Sequence, residues 1–250
     1  MALSLEQKHR RFRQQLGWTR SLRKKLLSSL IDPREDRALE VGCGTGALLG
    51  ELDSLLKTRP VGLDHDLRSL AFARDLSQAV LTGGDAHRLP FADDTFDLTV
   101  CHFLLLWLDH PAGALEEMQR VTRPGRFIAA FAEPDYGGRI DHPPPLDMIK
   151  PLQIRSLIDQ GAQPRIGRRL RELFLSTGMK EVTTGVFQGQ WTDPPSQSQL
   201  QGEWDVLRED LKPYLSEEDL DSLREVEVRS WTQGIRTLFI PTFYAWGRVQ

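Results

Sequence analysis

The residues Ala38-Leu39-Glu40-Val41-Gly42-Cys43-Gly44-Thr45-Gly46, followed at once by Ala47-Leu48-Leu49-Gly50-Glu51-Leu52, constrain this chain more than any other stretch. A short apolar run, glycines at alternate positions and then a helical pattern read as strand, tight loop and helix. Alternate glycines open backbone angles closed to other residues and remove the side chains that would hold a ligand off the main chain. A ligand of such a loop meets bare N–H groups near a helix N-terminus. The same residues, as Gly42-x-Gly44-x-x-Ala47, also satisfy a dinucleotide-binding fingerprint, so the rest of the chain must decide what the loop means.

Upstream, Leu5, Phe12 and Leu16, then Leu22, Leu26 and Leu30, recur at helical spacing on either side of Gly17-Trp18-Thr19, which predicts two helices with a break. Asp32-Pro33-Arg34-Glu35-Asp36 links this N-terminal arm, residues 1–36, to a core unit of residues 37–250. After the glycine loop, Pro60 to Asp64 reads as a second strand, and Asp66 is placed to cap a helix running through Leu76. Ala79 to Thr82, Phe96 to Cys101 and Arg126 to Ala132 read as further strands, with a helix at Ala112–Val121 and a turn at Pro124-Gly125. Short apolar strands alternating with helices predict a doubly wound α/β fold around a mostly parallel sheet.

Beyond the fifth strand, residues 134–167 carry Pro-rich loop and a helix near Leu146 to Asp159, which reads as an insertion. Helix resumes at Arg168 to Ser176 and ends at Gly178, and Glu181 to Trp191 reads as a strand. A second insertion, residues 190–236, holds a helix at Gln199–Leu211 and another beginning at the capping-box pattern Ser216 to Asp219, with Leu220, Leu223 and Val226 as its buried stripe. Thr237 to Trp246 is expected to close the sheet. Leu146, Met148, Ile149, Leu152, Ile154, Trp191, Trp204 and Trp231 provide enough apolar surface for the insertions to roof a pocket, an acceptor lid.

At 250 residues with net charge −3, the chain has ample length for a core. No apolar run approaches the roughly 18 residues of a membrane helix, and the first residues turn charged before a signal-like segment forms, so a cytoplasmic location is expected. Cys43 and Cys101 form no disulfide framework and lack metal-ligand spacing; free thiols close to one another, and no metal, are expected. The charge is uneven: Lys8, Arg10, Arg11, Arg13, Arg20, Arg23, Lys24 and Lys25 stand against Glu6 alone in the first 30 residues. Such a run is either the solvated face of a helix or a surface for nucleic acid.

In an open parallel sheet, ligands sit at the carboxyl ends of the strands. Those ends carry Gly42 to Gly46, Asp64, Asp85 and Cys101. Singly, Asp64 and Asp85 are turn or cap residues. Together, one can accept hydrogen bonds from ribose hydroxyls and the other from an adenine amine, which points to an adenosine ligand. A nicotinamide dehydrogenase would explain the glycines and Asp64 but leave Glu40, Asp85 and the Phe96-Asp97 strand without a role.

In Leu39 to Gly46, Val61-Gly62-Leu63-Asp64, Gly84-Asp85 to Phe96-Asp97 and Arg120 to Gly125, the chain resembles the class I S-adenosylmethionine-dependent methyltransferases, in particular the type 11 or ubiquinone-biosynthesis-like group. The resemblance is strong over residues 37–132 and weak beyond. It implies a seven-stranded Rossmann-like sheet, S-adenosylmethionine as methyl donor and S-adenosylhomocysteine as product. It further implies that Gly42, Cys43, Gly44 and Gly46 meet the methionine part and that Glu40 anchors the loop. Asp64 would take the ribose, His65 would face the adenine, Asp85 and the Ala86 N–H would hold its edge, and the Cys101 carbonyl would take the ammonium.

Arg126 departs from the group's second glycine after Pro124-Gly125, which should alter that turn and leave the cofactor site intact. No Asn-Pro-Pro-Tyr-like signature of amino-methylating enzymes follows the fifth strand. The expected activity is direct displacement of a sulfonium methyl onto a small-molecule acceptor. An RNA acceptor met by the basic arm is one alternative, and a non-catalytic S-adenosylmethionine-binding module is another. Candidates to accept the acceptor's proton are His102, His142, Asp135 and Tyr136, the histidines because they titrate near neutrality. The acceptor and the oligomeric state are left open.

Overall fold

The computed structural model describes residues 4–30, 36–187 and 194–250. The link at Asp32 to Glu35 and the expected strand residues 188–191, with Trp191, lie outside the described residues. The chain begins with α1 (Leu5–Leu30), then alternates β1 (Ala38–Val41), α2 (Leu49–Leu55), β2 (Val61–Asp64), α3 (Leu67–Arg74), β3 (Val80–Gly83), β4 (Phe96–Cys101), α4 (Pro111–Val121) and β5 (Thr122–Pro134). There follow β6 (Ile140–His142), α5 (Ile149–Asp159), α6 (Leu170–Ser176), β7 (Lys180–Phe187), α7 (Gln197–Leu211), α8 (Glu217–Thr232), β8 (Thr237–Phe239) and β9 (Thr242–Arg248).

Seven strands form one sheet in the order β3-β2-β1-β4-β5-β9-β7. The first five run parallel, and β9 lies antiparallel between β5 and β7. Every residue of β1 and β4 is buried, because helices cover both faces. Alternate side chains feed two layers. Leu39, Val41, Ile128 and Ala130 meet Leu115 and Met118 of α4 and Leu173 and Phe174 of α6, whereas Ala38, Leu98, Val100 and Phe131 meet Leu26, Leu27 and Leu30 of α1 and Leu52 of α2. The predicted caps form: the Asp66 side chain accepts from the Arg68 N–H, and Ser216 and Asp219 close a capping box on α8.

Three expectations change. The arm is one helix of 26 residues, not two. Gly17 costs an exposed helix about 1 kcal/mol, but Leu16, Thr19, Arg23, Leu26, Leu27 and Leu30 are buried along one side, and packing carries the helix through. Pro124-Gly125 does not end a turn before the fifth strand; β5 already starts at Thr122, Gly125 sits at φ +79° and its N–H bonds the Val249 carbonyl, making an irregularity inside the strand. Thr237 to Trp246 does not close the sheet as one strand. The segment divides at Ile240-Pro241, so β8 pairs with β6 in a separate ribbon and β9 alone joins the sheet. Arg126 pairs with Asp36 and, at 3.2 Å, with Asp97 at the start of β4, the end of the sheet away from the glycine loop.

Candidate functional site

The glycine loop is fastened to β2. Gly42 and Cys43 N–H groups both donate to the Leu63 carbonyl, at 2.8 and 2.9 Å, and Gly42, Gly44 and Gly46 take φ of +74°, +50° and +76°. Asp64 draws the loop in: its Oδ2 accepts from the Gly44 N–H at 2.7 Å and its Oδ1 from the Asp66 N–H at 2.8 Å. A carboxylate offers about four acceptor positions, so this buried side chain still has capacity for a diol. Glu40, by contrast, makes no hydrogen bond to the loop among the described residues. It is buried, its Oε2 has no hydrogen-bond donor among the described residues, and burial with the nearby Asp64 charge pushes its pKa well up. The loop is held by Asp64 and Leu63 instead.

Farther along the same edge, Asp85 is exposed and accepts from the His87 N–H and ring at 2.9 Å, bonds that hold its carboxyl below the usual range. Ala86 is buried beside it, and the His65 ring is exposed, 3.4 Å from Asp64. Cys43 and Cys101 are buried free thiols, both pushed up by burial. They belong to separate apolar clusters, with Cys101 paired to Val41 across the β1–β4 register.

Helix α1 lies over this edge. A Cβ added to Gly44 would stand 2.9 Å from the Phe12 ring, and one on Gly42 2.7 Å from Leu104. His9 meets Thr45 Oγ1 at 3.0 Å, Arg23 pairs with Glu51, and Thr19 Oγ1 reaches the His102 ring at 3.2 Å. One turn away, Arg11 pairs with Glu203 of α7, which also accepts from Gln14 at 2.9 Å.

Arg11 and Phe103, next in the chain to Phe12 and Leu104, line a cavity of about 480 Å³. Its aromatic walls are Trp18, Phe103, Tyr136 and Phe187, and its charged ones Arg11, Arg139, Glu203 and Glu227. Leu200, Val206 and Leu207 of α7 roof it, and Leu207 belongs to a cluster with Leu146, Ile149, Trp204, Leu220 and Leu223 that joins the two insertions. Ligand sites commonly enclose about 300–1,000 Å³.

Residues 39–130 match the type 11 family described as "Methyltransferase domain". They hold the glycine loop, both strand-end carboxylates and the strands that place them. Over residues 39–130 this chain is similar to methyltransferase domains. The chain is 36% identical over 157 residues to a demethylmenaquinone methyltransferase of Roseiflexus sp. (strain RS-1), covering 60% of this chain and 64% of that protein. To an uncharacterized methyltransferase of Schizosaccharomyces pombe it is 30% identical over 153 residues, 55% of this chain and 54% of the other. The chain thus spans between half and two thirds of the length of these relatives. The fold of a SAM-dependent methyltransferase from Thermotoga maritima superposes with a TM-score of 0.58 at 18% identity, over 98% of this chain and 99% of that one.

Of the four proton-acceptor candidates, Tyr136 alone lines the cavity. His102 turns to Thr19 of α1, and burial together with the Arg23 charge pushes its pKa down to about 3. His142 is exposed on the β6–β8 ribbon. Asp135 is buried and gripped by both Arg168 nitrogens, with Nη2 at 2.9 Å.

Several residues with structural roles here were not singled out from the sequence. Glu133 ends β5 fully buried, and its carboxylate accepts the N–H groups of Leu104, Leu105 and Leu106 at 3.0, 2.8 and 3.1 Å. It fixes the turn that carries Phe103 to the cavity and Leu104 to the glycine loop; burial pushes its pKa up to about 7. An acid directly after the apolar run Phe127 to Ala132 was the available signal. Arg139, Asp141, Glu227 and Arg236 form a buried ionic chain behind the cavity, Arg236 bonding Asp141 at 2.7 Å and Glu227 at 3.0 Å. Nothing in the local sequence marks a chain drawn from four separated positions. Among the described residues no helix is long and apolar enough to cross a membrane, and no cluster could hold a metal.

Proposed function

We propose that this chain transfers a methyl group from S-adenosylmethionine to a small-molecule acceptor held in the cavity beneath α7. The observation that carries this reading is the shared wall: Phe12 on α1 and Leu104 after β4 cover the glycine loop, while their neighbours Arg11 and Phe103 line the cavity. A donor on the loop and an acceptor in the cavity would then be adjacent.

The residues fit the donor. Asp64 has open acceptor positions toward a ribose, Asp85 stands exposed at the next strand end, and the Oε2 of buried Glu40, with no donor among the described residues, is an acceptor position that the ammonium of a methionine group would suit. When bound, the sulfonium supplies an activated methyl group. The chain's own task is to align the acceptor, exclude water through the lid, and rely on positioning, for which effective molarities of about 10⁵–10⁸ M are known. The proton, where the acceptor has one, leaves to solvent rather than to His102 or His142. A histidine pushed down to about 3 is a weak base, and one exposed on the ribbon is out of reach.

The RNA reading draws on Arg10, Arg13, Arg20, Lys24 and Lys25, exposed along α1, but Arg11 and Arg23 are engaged internally. Incubating the protein with methyl-labelled S-adenosylmethionine and fractionated small metabolites, with total RNA in parallel, tests the choice. Label in a metabolite with stoichiometric S-adenosylhomocysteine is expected. Label in RNA would reverse the acceptor class, and donor binding without product would leave a binding module.

A further inference from the structure

The acceptor cavity has more chemistry in it than its volume, and this inference rests on the function proposed above. Each charged group in its wall already has a partner. Arg11 pairs with Glu203. Arg139 is forked onto Asp141, with Nε to Oδ2 at 2.6 Å, and gives Nη1 to Gln153 Oε1 at 2.7 Å. Glu227 accepts from Arg236 Nε at 3.0 Å and from the Trp204 indole at 2.5 Å. Among the described residues the lining charges are two positive and two negative, each neutralised within the protein. A charged acceptor entering here would shed its hydration for no free counter-ion, which is costly in a partly closed apolar site.

Tyr136 is one of two uncharged polar side chains in this wall, with Gln15, that have no protein partner among the described residues, since Gln153, Gln199 and Thr242 are bonded within the protein. It lines the cavity, and among the described residues no protein group accepts from or donates to its hydroxyl. Its backbone is fixed, the N–H donating to the Pro164 carbonyl at 2.8 Å. Burial keeps the phenol protonated beyond its ordinary range, so at neutral pH it donates. Trp18, Phe103 and Phe187 complete walls suited to a flat ring system.

We infer that the acceptor is an uncharged, planar, mainly apolar molecule bearing a polar oxygen or nitrogen, and that Tyr136 sets its orientation by donating a hydrogen bond to that atom. Tyr136 is on this account a specificity-determining group, not a base.

Equilibrium dialysis of the full chain, with and without saturating S-adenosylhomocysteine, against four matched probes tests this: 2-naphthol, naphthalene, 2-naphthoate and 2-naphthylmethylamine. At neutral pH, 2-naphthol is expected to bind at least about tenfold tighter than the anion or the cation. Tyr136→Phe should weaken 2-naphthol about two- to tenfold, the value of one neutral hydrogen bond, and leave naphthalene unchanged. Equal or tighter binding of either charged probe, equal loss of naphthol and naphthalene in the variant, or no probe binding at millimolar concentration overturns the inference. Direct calorimetry of S-adenosylhomocysteine with the same samples reports separately on the donor site, so failure here and failure of the methyltransferase reading are told apart.

Discussion

The edge proposed to hold the donor and the cavity proposed to hold the acceptor are built in opposite ways. The donor edge is almost all backbone and strand ends within residues 39 to 85, where loop amides, one carboxylate and the β1–β2 register set the geometry. The acceptor cavity is assembled from α1, the turn after β4, the end of β5, α5, α7, α8 and the β8–β9 connection, elements up to 231 positions apart, from Arg11 to Thr242. A site of the first kind is robust to side-chain change outside a few positions. A site of the second kind depends on a buried ionic chain and on helix packing, and it diverges easily while the fold stays. Among the described residues, α1 and the turn after β4, which Glu133 fixes, touch both.

The comparison breaks most visibly at Arg236. Its removal strands Asp141 and Glu227 in the interior, and losing one partner of a buried pair costs about 3–5 kcal/mol. Arg236→Ala should lower the thermal midpoint by several degrees in a calorimetric scan and abolish naphthol binding. S-adenosylhomocysteine affinity should stay within about threefold at a temperature where the variant is folded, since one or two neutral contacts at most would change. Loss of donor binding as well would mean the two regions are one.

Asp64→Ala is the converse. Hydrogen bonds to a charged acceptor contribute about 1.5–3 kcal/mol, so donor affinity should fall about 10- to 100-fold by calorimetry. The variant also leaves the Gly44 and Asp66 amides without their acceptor, so some loss of stability accompanies it. Unchanged donor affinity would remove the adenosine reading of this edge.

The residues that join the regions sharpen the comparison through pH. The folded pKa of Glu133, about 7, lies above its unfolded value near 4.5, so the native state binds the extra proton. Its contribution is fully present below about 4.5 and is lost as pH rises through 7, a change on the order of 1–3 kcal/mol. His102, pushed down to about 3 from 6.5, acts in the opposite sense: its contribution is complete above 6.5 and is lost as pH falls toward 3. Denaturant midpoints between pH 7 and 5 should therefore fall less steeply with acidification in His102→Asn than in wild type, and more steeply in Glu133→Gln. Parallel curves for all three proteins would contradict both assignments.

The smallest effect is expected at the chemistry. With His102 turned to α1, His102→Asn should keep turnover within about threefold once an acceptor is identified, against the 10²–10⁴-fold loss typical of a general base. A hundredfold loss at constant donor affinity would restore His102 as the base and require its ring to leave Thr19 on binding.

Most of the donor half was legible from the residues. Strand, loop and helix follow from local pattern, and Asp64 and Asp85 fall at strand ends because strand length and crossover direction leave little choice. The roles did not all follow: Glu40 stands unbonded while the Asp64 side chain holds the loop, since which acid reaches an amide depends on angstrom-scale register. The insertions and their apolar residues were recognisable as a roof, but Arg11, one of eight cations read as a surface row, turned out to line the cavity.

By itself, the sequence determined what local periodicity and backbone permission can encode: a parallel sheet under two helical layers, a glycine loop at its first crossover, carboxylates at the next two strand ends, and capped helices in the insertions. Tertiary structure alone decided the unbroken α1, the division of the last segment at Ile240-Pro241, the Glu133 clamp and the neutralised charges around Tyr136. The reason is physical. A helix through glycine, a carboxylate buried under three amides and an ionic chain of four separated residues are each unfavourable or undefined locally, and become stable only when distant parts of the chain supply packing and partners at the same point.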